Sequence, residues 1–188
     1  MAQSSTTISS QKDHKVNITG TDISFTASTK TISATSTSLS NLAVRDLITI
    51  TGTTNNNSTF TVKSVATNGL SITVEETVTT ESSGASVTLD YTGFVTDKYQ
   101  GDGYYSQADG VHTVAYHVLS TLTGSVKMQG SLATTPTESD WFDIAGTTFT
   151  TDQSTTIFSA NFTGNFVWVR AKTTGTTAGS VMKILYNH

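Results

Sequence analysis

The chain has 188 residues, 13% charged and 35% hydrophobic, a formal net charge of −4 and no cysteine. This excludes disulfides and thiolate metal sites, and the scattered lysines form neither a nucleic-acid footprint nor a polybasic membrane patch. No apolar run approaches the ~18 residues of a membrane helix, and the N-terminus lacks the cationic and apolar segments of a signal peptide, so the expectation is a soluble protein made in a cytoplasm.

About a third of the residues are Thr or Ser, well above ordinary usage, and charged residues fall well short of the usual ~25%. Apolar residues alternate with polar ones, the pattern of thin β-layers with one wet face. Residues 1–15 are polar, with Lys12, Asp13, His14 and Lys15, and read as a short flexible arm able to order on a neighbouring subunit. Residues 16–92 read as strand and turn in succession. Ile23 and Phe25 share one face, as do Ile48 and Ile50, Phe60 and Val62, and Leu70, Ile72 and Val74. Asn68-Gly69 predicts a two-residue hairpin. A boundary is expected near Thr92-Gly93, and residues 93–188 form the second module.

From Phe94 the aromatic density rises, with Tyr99, Tyr104, Tyr105 and Tyr116. Val111–Val118 reads as a strand, followed by a long strand, a loop with the single proline and a short strand within Gly124–Ile144. Then come Thr156–Ala160, Phe162–Arg170 and a last strand within Gly179–Tyr186. In Phe162–Arg170, alternation puts Phe166, Trp168 and Arg170 on one face and Val167 and Val169 on the other. Mid-strand Trp168 is expected in the core. No helical period persists, so the fold class is all-β, two small β-barrel or β-sandwich (jelly-roll-like) modules in tandem after the arm.

The candidates for chemistry are thin. His112 and His117 are five apart on one strand, so they face opposite sides and cannot share an ion. Asp97, Asp102 and Asp109 surround a loop of the kind that binds hard cations, but Asp102-Gly103 and Asp109-Gly110 are ordinary turn dipeptides. Gly101-x-Gly103 is not a nucleotide loop, because no helix follows it. Asp140 and Asp143 flank Trp141, and with Glu138 they read as lining a solvated loop rather than as a glycosidase pair. Arg170 is expected to pair with a carboxylate or to stack on an aromatic ring. No catalytic residue, metal or cofactor is expected. Tyr104, Tyr105, Asp102 and Asp109 are the candidate contact surface, because they lie together in a predicted loop.

Two stretches carry a resemblance. Gly124–Ile144 together with Phe162–Arg170 resembles the framework of a β-sandwich found in structural proteins of tailed bacteriophages, marine ones in particular. Ile23–Phe25, Asp46–Gly52, Asn57–Val62, Leu70–Val74 and Gly84–Leu89 resemble, in order and spacing, a small β-module of phage structural and tail proteins, over roughly residues 20 to 90. The resemblance implies a non-enzymatic virion protein, with capsid decoration or cement first and a tail, neck or fibre component second. It implies other virion proteins as partners and a homo-oligomer, with a trimer favoured. Gln129–Ser131, Trp141 and Val169-Arg170 are also similar to jelly-roll sugar-binding domains. They make a carbohydrate or receptor-binding module, adsorbing to a host-surface glycan, the alternative.

Overall fold

The computed structural model describes residues 5–105 and 110–187. The protein is all-β, and its helical turns among these residues are three 3-10 turns of three or four residues each. In chain order the strands are β1 (Ser5–Ser9), β2 (Lys12–Asp13), β3 (Ile18–Gly20), β4 (Ser24–Thr26), β5 (Thr31–Ser33), β6 (Asp46–Thr51), β7 (Thr59–Val65), β8 (Ser71–Val74) and β9 (Val87–Phe94). They continue as β10 (Tyr99–Gln100), β11 (Val111–Val118), β12 (Ser125–Ser131), β13 (Phe142–Asp143), β14 (Phe149–Thr150), β15 (Ile157–Thr163), β16 (Trp168–Thr174) and β17 (Ser180–Asn187). No helix among the described residues is long and apolar enough to cross a membrane.

The chain packs as two compact units, Lys15–Phe94 and the remainder. In Lys15–Phe94, an antiparallel sheet runs β3-β9-β6-β7-β8-β5-β4. Ile18 on β3 and Phe25 on β4, from the two ends of that path, belong to one buried cluster with Ile32, Ile48, Ile50, Phe60, Val62, Ile72 and Leu89. The sheet therefore curls over one core, but the path ends at β3 and β4 without closing, so of the expected barrel or sandwich no closed barrel is formed among the described residues. The Asn68-Gly69 turn is wider than expected. Ala66 donates its amide to Ser71 and Gly69 donates back to Ala66, both at 2.9 Å. Leu70 therefore stays in the loop, and Gly69 takes a φ of +67° that suits glycine. The boundary expected near Thr92-Gly93 falls at the end of β9, where the register breaks opposite Leu47 and Ile48 and the unit ends at Phe94.

Carboxylates stand in for a larger core at the turns of this unit. Asp22 accepts the backbone amides of Thr35, Ser36 and Thr37 as well as their hydroxyls. Glu81 accepts the amides of Thr54 and Asn55 and the side chain of Asn56. Fully buried Asp46 binds Lys15 at 2.5 Å and the Ala43 amide at 2.7 Å.

The other unit contains two antiparallel sheets, sandwich-like in their contacts. One runs β1-β17-β11-β15, with β2 also on β17, and the other runs β10-β16-β12-β13, with β14 also on β12. Phe149 on β14 stacks on Phe158 of β15 at 5.1 Å, and Tyr116 on β11 donates its hydroxyl to the Thr147 carbonyl at 2.9 Å. The inward rows Val114, Tyr116 and Val118 on β11 and Val126 and Met128 on β12 are buried between the sheets.

The expected flexible arm is instead paired in a sheet over residues 5–9 and 12–13. Ser5–Ser9 pairs with the last strand, Thr6 against Tyr186 and Thr7 against Leu185, and Lys12-Asp13 pairs with Val181 and Ser180. The physical reason is in the segment itself. Thr6-Thr7-Ile8 is β-branched, and Ile8 is buried to 5% exposure, so the segment gains both ladder hydrogen bonds and apolar burial.

Two measurements test this account. Ile8→Ala should lower the unfolding free energy by about 2–4 kcal/mol in a denaturant titration, the cost of a core truncation, where a free arm would give no change. Asp22 tests the turn. Hydrogen bonds from the Thr37 side chain and the Thr37 and Ser36 amides hold its carboxyl far below the usual carboxylate range. A depressed folded pKa stabilises fully above the unfolded value near 4 and is lost as the pH falls toward the folded one. The unfolding midpoints of the protein and of Asp22→Ala should therefore draw together as the pH drops below about 4.

Candidate contact surface

Strand β16 builds the surface by alternation. Val169, Ala171 and Thr173 point inward and are buried, so Trp168, Arg170 and Lys172 point outward. Register then aligns the outward row with its neighbours: Ser131 and Gln100 lie opposite Trp168, Gln129 opposite Arg170, and Lys127 opposite Lys172. Phe166 breaks the expected pattern. It precedes the strand, is 9% exposed and packs beside His112, Phe162 and Phe142. Trp168 is not in the core, a second correction. Val167 lies in a bend, so the alternation begins again at β16 with Trp168 on the outer face.

The loop between β12 and β13 folds over that face. Trp168 Nε1 donates to the Thr134 carbonyl at 2.9 Å. Glu138 receives both terminal nitrogens of Arg170, at 2.9 and 2.8 Å, and the guanidinium carbon lies 4.2 Å from the centre of the Trp141 ring. A capping box of Thr137 and Asp140 holds the short turn that presents Glu138. Arg170 Nε donates to Gln129, whose amide donates to Asp143 at 2.9 Å, and Lys127 binds the other Asp143 oxygen at 2.5 Å. Burial pushes the Asp143 carboxyl up. The hydrogen bonds from Lys127 and Gln129 and the charges of Lys127 and Lys172 outweigh that and leave it lowered. Burial, then the charges of Arg170 and Lys127, pull the Lys172 ammonium down. Arg170 thus stacks on Trp141, not on Trp168, and its ion pair lies within the chain.

At the β10 edge of the same face lies an aromatic patch. Tyr104 packs 5.0 Å from Trp168 and 5.2 Å from Tyr105, and the Lys98 ammonium lies 4.2 Å over the Trp168 ring. Tyr104 and Tyr105 are 45% and 49% exposed, and the Tyr105 hydroxyl donates to Gln100. Their placement depends on close backbone approach. Gly101 and Gly103 donate their amides to Val167 and Phe166, and a Cβ on either would come within 2.5 or 2.7 Å of a carbonyl oxygen.

Asp102 is not on the surface, a third correction. It is 8% exposed, accepts the Gly110 amide at 2.6 Å and lies 3.4 Å from His112 Nε2. His112 is fully buried, its Nδ1 lies 2.8 Å from the Tyr186 hydroxyl, and its ring stacks against Phe162 and Tyr186. Burial, and then the charge of Asp102, push the Tyr186 phenol well above its usual value. A carboxylate taken out of water needs such partners, so Asp102 roots the segment that displays the tyrosines. Asp109 lies outside the described residues. His117 is on the opposite face of β11, and among the described residues no three His, Asp or Glu side chains converge on a metal position.

Of the residues singled out from sequence, the structure brings Tyr104 and Tyr105 together at the surface and adds Trp168 and Lys98 to them. Parity was legible, and what it lacked was the charge that goes with it: Trp168 shares its face with Arg170 and Lys172, and two cations in a row argue against the inter-sheet side of a strand. At another end of β12 an open depression of about 450 Å³ is lined by Thr123, Ser125, Thr150, Gln153 and Thr174. With neither a charge nor an aromatic ring in its lining, it is the weaker candidate.

No protein-family model matches the sequence, and no curated protein matches it.

Arg170→Lys tests the network. It keeps the charge but loses the planar fork to Glu138 and the stack on Trp141. It should destabilise the chain by about 1–3 kcal/mol in denaturant and shift the Trp141 contribution to the fluorescence.

Proposed function

We propose that this chain is a non-enzymatic structural protein of a tailed-bacteriophage virion, docking on its neighbour through the outer face of the β10-β16-β12-β13 sheet. The observation that carries the docking is the patch of Tyr104, Tyr105, Trp168 and Lys98, held rigidly beside a paired charge network. Exposed aromatics next to a cation are the composition of interaction hot spots. The virion assignment rests on the resemblance of residues 20–90 and of Gly124–Ile144 with Phe162–Arg170 to phage β-modules. In that reading the sandwich-like unit is a jelly-roll variant and Lys15–Phe94 a small barrel-derived module. The carboxylates of the site are engaged in structure, Asp140 in a cap and Asp143 with Lys127, which supports a binding rather than a catalytic surface.

Capsid decoration is the first assignment. With residues 5–13 committed to a sheet, attachment to the shell falls to the sheet face and not to an arm. A tail or fibre component that contacts a host glycan is the second. It is favoured by the Trp168 and Tyr104 rings lying beside the hydrogen-bonding groups of Gln100 and Tyr105, because the apolar face of a sugar ring stacks on aromatics while its hydroxyls need polar neighbours.

Immunogold electron microscopy of the parent particle tests the assignment. Label over the capsid supports decoration, label confined to the tail supports the second role, and absence of label overturns both. For the docking face, Tyr104→Ala with Tyr105→Ala should leave the fold intact. It should weaken binding to particles stripped of the protein by about 2 kcal/mol or more, the loss expected of a hot-spot aromatic. Unchanged binding would move the contact elsewhere.

A further inference from the structure

Among the described residues, most strands that end a sheet are short or broken in register. In Lys15–Phe94 the terminal strands β3 and β4 have three residues each. In the other unit β10, β13 and β14 have two residues each, and β1 shifts register between Thr7 and Ser9. Short and bulged edges are how β-proteins avoid pairing with other chains.

Strand β15 does none of this. It has seven residues and pairs with β11 along its whole length, from Val111 opposite Thr163 to His117 opposite Ile157, with no break in register. Its other side has no strand neighbour among the described residues. Ile157 is 58% exposed, and Ser159, Asn161 and Thr163 are exposed too. From Gln153 through Val169 the sequence carries no charged residue, no histidine and no proline. The strand is also anchored by its inward side chains. Phe158 stacks on Phe149 and Tyr116, and Phe162 stacks on His112. A partner strand would meet an edge whose ordering cost is already met by the fold.

We propose that β15 is a β-augmentation edge and that its occupant is a second copy of this chain, paired antiparallel across a twofold axis. A twofold contact matches a surface with itself, so the segment must be compatible with its own copy. An uncharged strand meets no like charge there, whereas a charged edge would repel itself. With Ala160 on the axis, Phe158 lies opposite the partner subunit's Phe162 and Ile157 opposite the partner subunit's Thr163. Aromatic and β-branched residues thus sit across from one another, the favoured kind of cross-strand pair. The inference stands on this edge alone and does not depend on the docking face. Its symmetry is twofold, where the sequence led to a trimer.

The experiment is sedimentation of the full chain over the micromolar range, with amide exchange followed in parallel. A monomer–dimer equilibrium is expected, and exchange within Ile157–Thr163 should slow as the concentration rises. Ser159→Lys with Asn161→Lys, both at exposed positions, should weaken the dimer roughly tenfold or more. Thr7→Lys, on the bulged edge β1, should leave it unchanged. A monomer at every concentration would overturn the proposal and leave the edge to a strand from another protein. So would a dimer indifferent to the lysine pair, β15 exchange that ignores concentration, or a threefold assembly, since three copies cannot share one antiparallel edge.

Discussion

The outer face of the β10-β16-β12-β13 sheet depends on one buried cation. Arg170 is 3% exposed on a strand whose inward neighbours Val169 and Ala171 are fully buried. A guanidinium removed from water is tolerable only if its donors are met. Glu138 meets two of them, Gln129 meets a third, and the Trp141 ring covers the plane. Satisfying Arg170 therefore draws the β12–β13 loop down onto the sheet. The same requirement passes along the row, because the Gln129 that accepts from Arg170 donates to Asp143, which in turn binds Lys127. A buried charge of this kind adds less to net stability than its contacts suggest. What it supplies is a single conformation for the loop.

The neighbouring aromatic patch is held by the same logic, run through a buried anion. Asp102 lies at the start of the 3-10 turn that carries Tyr104 and Tyr105, and it faces His112, which is itself stacked among Phe162 and Tyr186. The exposed rings are thus tied through one buried carboxylate to the centre of the opposite sheet. A contact surface gains from this, because side chains already held in place lose little freedom on binding.

Elsewhere the chain economises on charge. Among the acidic residues, Asp22, Glu81, Asp140 and Asp152 each accept backbone amides at a turn. In a Thr-rich chain with thin layers, such turns do work that a thicker core does in other proteins. Asp22, Glu81 and Asp152 each satisfy two or three amides, and Asp140 satisfies the amide and the hydroxyl of Thr137, groups that would otherwise be left to water.

The amino-acid sequence by itself determined the all-β class and the inward rows. Side-chain alternation is a local property of an extended backbone, and it correctly paired Ile23 with Phe25, Ile48 with Ile50 and Phe60 with Val62 in the core. It also separated His112 from His117, and the turn residues around Tyr104 and Tyr105 put those two in an exposed loop. Only the tertiary structure decided what long-range pairing decides. Ser5–Ser9 became a strand because β17, far along the chain, offers it a free edge and a place for Ile8. Parity put Trp168 and Arg170 on one face, but which face is wet depends on the sheet that covers Val169 and on the loop that brings Glu138 to Arg170. Asp102 was drawn inward by His112 and Gly110, partners with no local sequence signal. Period and composition act over a few residues, whereas the burial of a charge depends on groups that only the fold brings within reach.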